Sequence, residues 1–348
     1  MASGKPIRVL QSFRRVGPQT NPYITQLRDA FESSDAIEPH VFSWRNALLR
    51  PYDVFHVHWP EALLERRGWV STVGRRVLYA FFLLRLAVER IPIVRTVHNT
   101  EAPQGLGSVE RALLALTERL TRVRIVLNEF TPVPSGSLSV QIPHGHYRDW
   151  FSVYPMPGSH AGRVLFFGKI RRYKNVEGLV RAFRAIGPGS IVRELRVAGS
   201  PSRTELADSI RSLASGDDRI DLSFEFLDDA QLVDEIGRAA LIVLPYPEMH
   251  NSGSVLAALS LARAVLVPEN AFNTLLGAEV GEGWVLTYTG TLNAEHIERA
   301  MAQVADRPVD AVPDLSRREW TDAGDRHADA FRLAVLGERS SHAPGAGR

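Results

Sequence analysis

The sequence predicts an α/β protein of two successive parallel-sheet units, each Rossmann-like in plan. Three observations predict it. The 348 residues are more than one hydrophobic core comfortably fills. Short apolar runs alternate with longer helical segments, and the alternation occurs twice. Between the two sets, residues 150–162 (WFSVYPMPGSHAG) carry prolines and glycines without either periodicity, as a linker does.

In the first unit, residues 1–155, residues 7–13 (IRVLQSF) read as a strand and 22–32 as a helix beyond a Gly/Pro/Asn loop. Residues 54–57, 93–97 and 125–127 are further strands, ending in HWPE, HNTEAPQG and NEFTP. Ligands of open parallel sheets bind beyond the carboxyl ends of the strands, so chemistry is sought in those loops. The second unit, 156–314, opens with a strand at 164–167 and a helix at 176–185. Strands at 195–198, 220–226, 241–244 and 264–267 then alternate with helices at 206–214, 230–239 and 253–261. The two units are expected to face each other across a cleft. Residues 315–337 read as a helix crossing back to pack on the first unit through Trp320 and Phe331, and 338–348 as a disordered tail.

Composition narrows the function. With no cysteine, disulfides, thiolate catalysis and Cys-ligated metals are excluded. No stretch approaches the roughly 20 apolar residues of a membrane span and no secretory signal opens the chain, so a cytoplasmic protein is expected. Residues 1–150 hold 19 basic against 13 acidic residues and the remainder 22 against 26, which suggests two units with different partners. No basic run has the length or interleaved aromatics of a nucleic-acid arm. Only three of 41 basic residues are lysine, and two of them, Lys169 and Lys174, lie five residues apart.

Those lysines belong to FFGKIRRYKN, residues 166–175, where a buried strand gives way to a helix. Gly168 lets the backbone turn closely, and Lys169, Arg171, Arg172 and Lys174 follow. Cations at a helix N-terminus oppose its dipole unless an anion is present, and a diphosphate fits the need. A second loop, YPEMHNSGS at 246–254, opens from a strand end onto a helix N-terminus whose free N–H groups and hydroxyls suit phosphate. Ser252 or Ser254 would otherwise be a plain helix cap.

FGKIRRYKN, RVAGSP at 196–201 and PYPEMHNSGSVLAALSLARAVLVPE together resemble the donor-binding half of GT-B glycosyltransferases. The nearest likeness is to family 94, β-1,4-mannosyltransferases of exopolysaccharide assembly. The resemblance implies a GDP-mannose donor, no other cofactor, and a polyprenyl-diphosphate-linked oligosaccharide as acceptor. It implies that Gly168, Lys169, Arg171 and Lys174 grip the diphosphate, and that Asn251, Ser252, Gly253 and Ser254 hold the diphosphate or the sugar. The retaining family 4 carries a second glutamate against the ribose; alignment on Gly253 puts Ala258 there. By fold analogy, the surroundings of Phe226 and Leu227 hold the base.

An α-linked donor and a β-linked product require inversion by direct displacement, with one base for the acceptor hydroxyl proton and cations for the leaving diphosphate. Glu61, His98 and Glu101 are the candidate bases. Glu61 is preferred because Pro60 fixes its backbone, and Trp59 can stack on a sugar face; His98 resembles the histidine this fold places near the donor sugar. His56 and His58 read as strand packing, and with no DxD pair no metal is expected. Arg14, Gly17 and Asn21, in the loop after the first strand, are acceptor-binding candidates. Residues 68–91 form a helix too short to span a bilayer, either buried on the sheet or lying at the membrane interface with Arg75, Arg76, Arg85 and Arg90 toward anionic headgroups. The basic first half and a polyprenyl-linked acceptor favour the second reading, a peripheral position at the inner face of the plasma membrane. Rival readings are a UDP-sugar donor (glucose or glucuronate), a sugar-nucleotide epimerase, and a non-catalytic nucleotide-sugar or glycan-binding protein. A nicotinamide dehydrogenase is disfavoured because no G-x-G-x-x-G follows the first strand.

Overall fold

The computed structural model describes residues 5–14, 17, 20–64, 69–98, 106–247, 249, 252–308 and 310–340, with the side chains of 69–71 and 338–340 left aside. The chain divides into two compact units: Met1–Gly145 with Glu319–Arg348, and His146–Arg318.

The first unit runs β1 (Ile7–Gln11), α1 (Pro22–Glu32), β2 (Ile37–His40), α2 (Trp44–Leu49), β3 (Val54–Val57), α3 (Trp69–Val88), β4 (Ile93–Val97), α4 (Ser108–Leu120), β5 (Thr121–Val126) and β6 (Leu138–Gln141). Its sheet has the order β2-β1-β3-β4-β5-β6, and every pair is parallel. Central strands such as β3 (VFHV) are buried on both faces, which is why they read as short unbroken runs. Val9, Val54 and Val94 point to one face, under α1, while Leu10, Phe55 and Ile93 point to the other, under α3.

The second unit runs α5 (Arg148–Phe151), β7 (Arg163–Phe167), α6 (Val176–Arg184), β8 (Glu194–Ala198), α7 (Thr204–Ala214), β9 (Ile220–Ser223), α8 (Asp229–Arg238), β10 (Leu241–Val243), α9 (Gly253–Ser260), β11 (Ala264–Pro268), α10 (Ala271–Val280), β12 (Val285–Tyr288) and α11 (Ala294–Ala305). Its all-parallel sheet has the order β12-β11-β10-β7-β8-β9. In α6, Val176, Leu179, Val180 and Phe183 recur at helical spacing and are all buried. In α8 a reciprocal capping box joins Asp228 and Gln231.

The last helix, α12 (Ala323–Ser340), belongs to the first unit. It packs on α1 and the sheet, with Phe331 5.9 Å from Phe31, and Trp320, just ahead of the helix, lies 5.6 Å from Tyr23, as the sequence led us to expect. It starts later than residue 315 because a 3₁₀ turn, Ser316–Arg318, first ends the second unit. There Arg318 is buried and holds Glu279 through two hydrogen bonds of 2.7 and 2.8 Å. The division between units falls at 145/146 rather than 155/156, because Tyr147 and Phe151 are already part of the second core. The strand expected over 220–226 stops at Ser223, leaving Phe226 exposed in the following loop. The tail residues 341–348 lie outside the described residues.

Candidate active site

Each sheet has one place where the strand order reverses, and the crevice beyond the carboxyl ends there is where open α/β sheets bind ligands. In the second unit that place is between β7 and β10, which lie side by side with Leu241 opposite Val164. The loops leaving these two strands are FFGKIRRYKN and YPEMHNSGS. Their convergence follows from topology.

Gly168 follows β7 with φ +98°, in the region only glycine enters freely. A Cβ on Gly199, the residue after β8, would stand 2.1 Å from the Gly168 carbonyl oxygen, so two glycine backbones meet here directly. The chain then makes a 3₁₀ turn, Arg172–Lys174, which brings the Lys174 ammonium back over the crevice. A Cβ built on Gly168 would lie 3.8 Å from Lys174 Nζ and 3.9 Å from Ser254 Oγ, so the three groups surround one small space. Lys174 Nζ also lies 4.7 Å from the ring centroid of Tyr246.

Lys174 is only 9% exposed, and among the described residues no carboxylate pairs with it. Burial, reinforced by the Arg171 charge, pushes its ammonium down to about 8. A buried cation whose nearest charge is another cation is a site lacking its anion. Lys169 and Arg171 are exposed. Ser252 is the N-cap of α9, its Oγ accepting the Val255 N–H at 3.3 Å, while the backbone N–H groups of Gly253 and Ser254 begin the helix. Asn251 lies outside the described residues. Tyr246 is what the sequence reading missed: its ring is the face under Lys174, and only the β7–β10 adjacency shows it.

In the first unit the order reverses between β1 and β3. Here a cluster of histidine and aromatic side chains gathers at the carboxyl ends. His56, within β3, is spent on packing: its two ring nitrogens bond Gln11 Oε1 at 2.9 Å and Thr96 Oγ1 at 2.8 Å. His58, two residues on, does more than pack. Its backbone N–H bonds Ser12 Oγ at 3.1 Å, and its Nδ1 lies 3.0 Å from Nε2 of His98. Trp59 stacks on His98 with centroids 4.3 Å apart and planes 19° from parallel; Tyr23 meets the same ring edge-on at 5.3 Å. His144 lies 4.4 Å from Tyr23. Burial holds His56, His58 and His98 well below the usual histidine range, so the rings are neutral at physiological pH.

Glu61 follows Trp59 by two residues. It opens a 3₁₀ turn, Pro60–Leu63, and its carboxylate acts on Arg95 and Tyr79, which belong to the side of the sheet covered by α3. His98 belongs with Tyr23, on the α1 side. The Arg95 charge acts on both candidate bases, Glu61 and His98. Glu101 lies outside the described residues. Asn21 is the N-cap of α1, its Oδ1 accepting the Tyr23 N–H at 3.0 Å, which leaves only its amide for a ligand. Gly17 closes a turn with Thr20, and Arg14 is exposed.

In α3, Tyr79, Phe82, Leu83 and Leu86 are buried on the sheet. The opposite face carries Val73, Val77, Phe81, Leu84 and Val88, spaced by three or four residues and 40–72% exposed. The helix is thus both buried and amphipathic. Of the four arginines of the expected cationic fringe, Arg90 is exposed just beyond the helix and the other three are engaged elsewhere. Arg75 is buried over Trp44, Arg76 pairs with Glu110, and Arg85 bonds Glu89 and two backbone carbonyls. No described helix is long and apolar enough to cross a membrane.

Two all-parallel units with loops converging at their switch points, and a last helix returning to the first unit, define the GT-B glycosyltransferase fold. The chain superposes with TM-score 0.55 on Anabaena HepE, solved with UDP and glucose, at 14% identity over 96% of this chain and 98% of that one. It superposes equally, at 14% identity over 95% and 99%, on AviGT4, a glycosyltransferase involved in avilamycin A biosynthesis. No protein-family model matches the chain. Over 337 residues, 97% of this chain and 95% of the relative, it is 39% identical to the GDP-mannose:glycolipid 4-beta-D-mannosyltransferase of Xanthomonas campestris pv. campestris. The chain belongs to the family of these mannosyltransferases, in agreement with the resemblance read from its sequence.

Proposed function

We propose that the protein transfers mannose, with inversion, from GDP-mannose to a hydroxyl of a polyprenyl-diphosphate-linked oligosaccharide, forming a β-1,4 linkage. The unpaired, buried Lys174 ammonium at the β7–β10 switch point carries this reading. The leaving diphosphate neutralises Lys174, with Arg171 and Lys169 reaching from the rim and the N–H groups of Gly253 and Ser254 completing the site. The acceptor oxygen bonds to the anomeric carbon as the bond to the β-phosphate oxygen breaks. The electron pair leaves on GDP, and its charge meets the protein's own cations rather than a metal.

His98 takes the acceptor proton in this proposal, in place of Glu61, because His98 belongs to the ring cluster at the β1–β3 switch point. For His98 to accept at Nδ1, its Nε2 must hold the proton shared with His58 Nδ1. The imidazolium that forms keeps that hydrogen bond, and Trp59 holds its plane. Incubation of GDP-mannose with the lipid-linked acceptor in excess EDTA tests the whole: mannosylated lipid is expected, and donor turnover without acceptor would instead make the protein an epimerase or hydrolase.

The exposed stripe on α3 supports a peripheral membrane position, because it sets apolar side chains along about 22 Å of helix in a unit that handles a lipid-linked acceptor. Phe81→Glu with Leu84→Glu is expected to abolish sedimentation with phospholipid vesicles while the melting temperature holds; unchanged sedimentation would remove α3 from the interface.

A further inference from the structure

The second unit has another concavity, at the amino ends of its strands and so at the opposite end of the sheet from Lys174. The starts of β7, β10, β11 and β12 meet there with the chain after α11, around a cavity of about 740 Å³. That volume lies within the range of small-ligand sites. Its wall is largely apolar, and the apolar surface continues outward through Met156, Ile191 and Val312, which are 45%, 48% and 67% exposed.

Into this apolar wall are set Arg193, Arg263 and Arg307, against one carboxylate, Asp310. Among the described residues none of the three arginines forms an ion pair. Arg263 is held by backbone carbonyls, with 2.6 Å from Nη2 to Gly237 O. Arg307 lies flat on Trp284, 3.8 Å from the ring centroid, and bonds Gly283 O at 3.1 Å. Burial lowers both guanidinium groups, and the Arg263 charge lowers Arg307 further. The chain therefore holds two like charges in place beside a hydrocarbon-lined cavity, and among the described residues the one carboxylate of the lining, Asp310, pairs with neither. Inorganic phosphate alone would leave the apolar wall wet, and a neutral chain would leave the guanidinium groups unanswered.

We infer that this cavity binds an anionic lipid, with a hydrocarbon chain along Met156, Ala240, Met301 and Val304 and a phosphate head at Arg263 and Arg307. The site is independent of the donor crevice, and GDP-mannose binding serves as the control. Calorimetric titration of the full chain with dodecyl phosphate below its micellar concentration is expected to saturate at one site. Dodecyl maltoside and inorganic phosphate should each bind at least tenfold more weakly. Arg307→Gln is expected to cost tenfold or more in dodecyl phosphate affinity, as the loss of a hydrogen bond to a charged group does. Ala305→Trp, placed on the accessible wall where an indole fills the cavity without disturbing the core, should abolish binding. Both variants should bind GDP-mannose as before. Equal affinity for dodecyl maltoside, or full dodecyl phosphate affinity in Ala305→Trp, would overturn the assignment; failure of GDP-mannose binding in the unmodified chain would strike the donor site and leave this one standing.

Discussion

The two sheets bury their basic side chains in opposite states. At the β1–β3 crevice, burial keeps His56, His58 and His98 neutral, with His56 bonded to Gln11 and Thr96 and His58 to His98. At the β7–β10 crevice, burial lowers Lys174 only to about 8, so it stays largely charged at neutral pH with no partner. One unit keeps a site able to accept a proton; the other keeps a charge able to accept an anion. The same desolvation does both, because an imidazole starts near 6.5 and an ammonium near 10.4. A transfer reaction that moves one proton and expels one diphosphate needs both states.

The contrast is most sharply tested by removing the proposed proton acceptor. His98→Gln is expected to lower the transfer rate by about 10²–10⁴-fold, the usual worth of a general base, with GDP-mannose affinity nearly intact. Glu61→Gln should change the rate little. If Glu61→Gln gives the larger loss, the base is Glu61 and the neutral histidines are packing alone.

Next is the charge. Lys174→Met is expected to weaken GDP-mannose binding by about 2–4 kcal/mol, as truncating a buried charged contact does. The donor-free protein should melt no lower, because an unpaired buried charge is lost. Diphosphate favours the charged lysine, so wild-type affinity should be full below pH 8 and fall as pH rises through 8 toward 10. Calorimetry in two buffers at pH 9 should register proton uptake on binding. A pH-independent affinity over that range would place the diphosphate elsewhere.

The neutral state has its own signature in acid. Burial pushes His327, which neighbours His56 and Phe31, down to about 4. The unfolded chain binds a proton near 6.5 and the folded chain only near 4, so stability falls between those values as pH drops. The loss from this group is about 3 kcal/mol below pH 4. His327→Leu should flatten that part of the unfolding free energy against pH; an unaltered curve would mean that other groups set the acid lability. Smallest is Gly168→Ala, for which a Cβ has ordinary room but φ is +98°. It should cost about 1–2 kcal/mol of stability for the left-handed backbone, read as a lower melting temperature.

Much of this was legible in the chain. The strands at 54–57 and 93–97 and the helix at 22–32 stand where the pattern places them, because a fully buried parallel strand is a short apolar run and Asn21-Pro22 is a helix start. The edge strands β2 (IEPH) and β6 (LSVQ) were not legible: half exposed, they lack the apolar run. Helices α10 and α11 lie in a stretch where no motif marked the alternation. Among the site residues, Lys174 and Gly168 stood out by composition and position. His58 looked like packing because its partner, His98, is forty residues away.

Sequence alone determined the class of this protein: two α/β repeats, a lysine pair in a chain of arginines, and a small-residue loop opening onto a helix, all local patterns along the chain. Tertiary structure decided which of those residues share a site. Strand order puts β7 beside β10 and so Lys174 above Tyr246, and β3 beside β4 and so His58 against His98. The face a side chain reaches depends on register and strand neighbours, which are set only when distant segments pair.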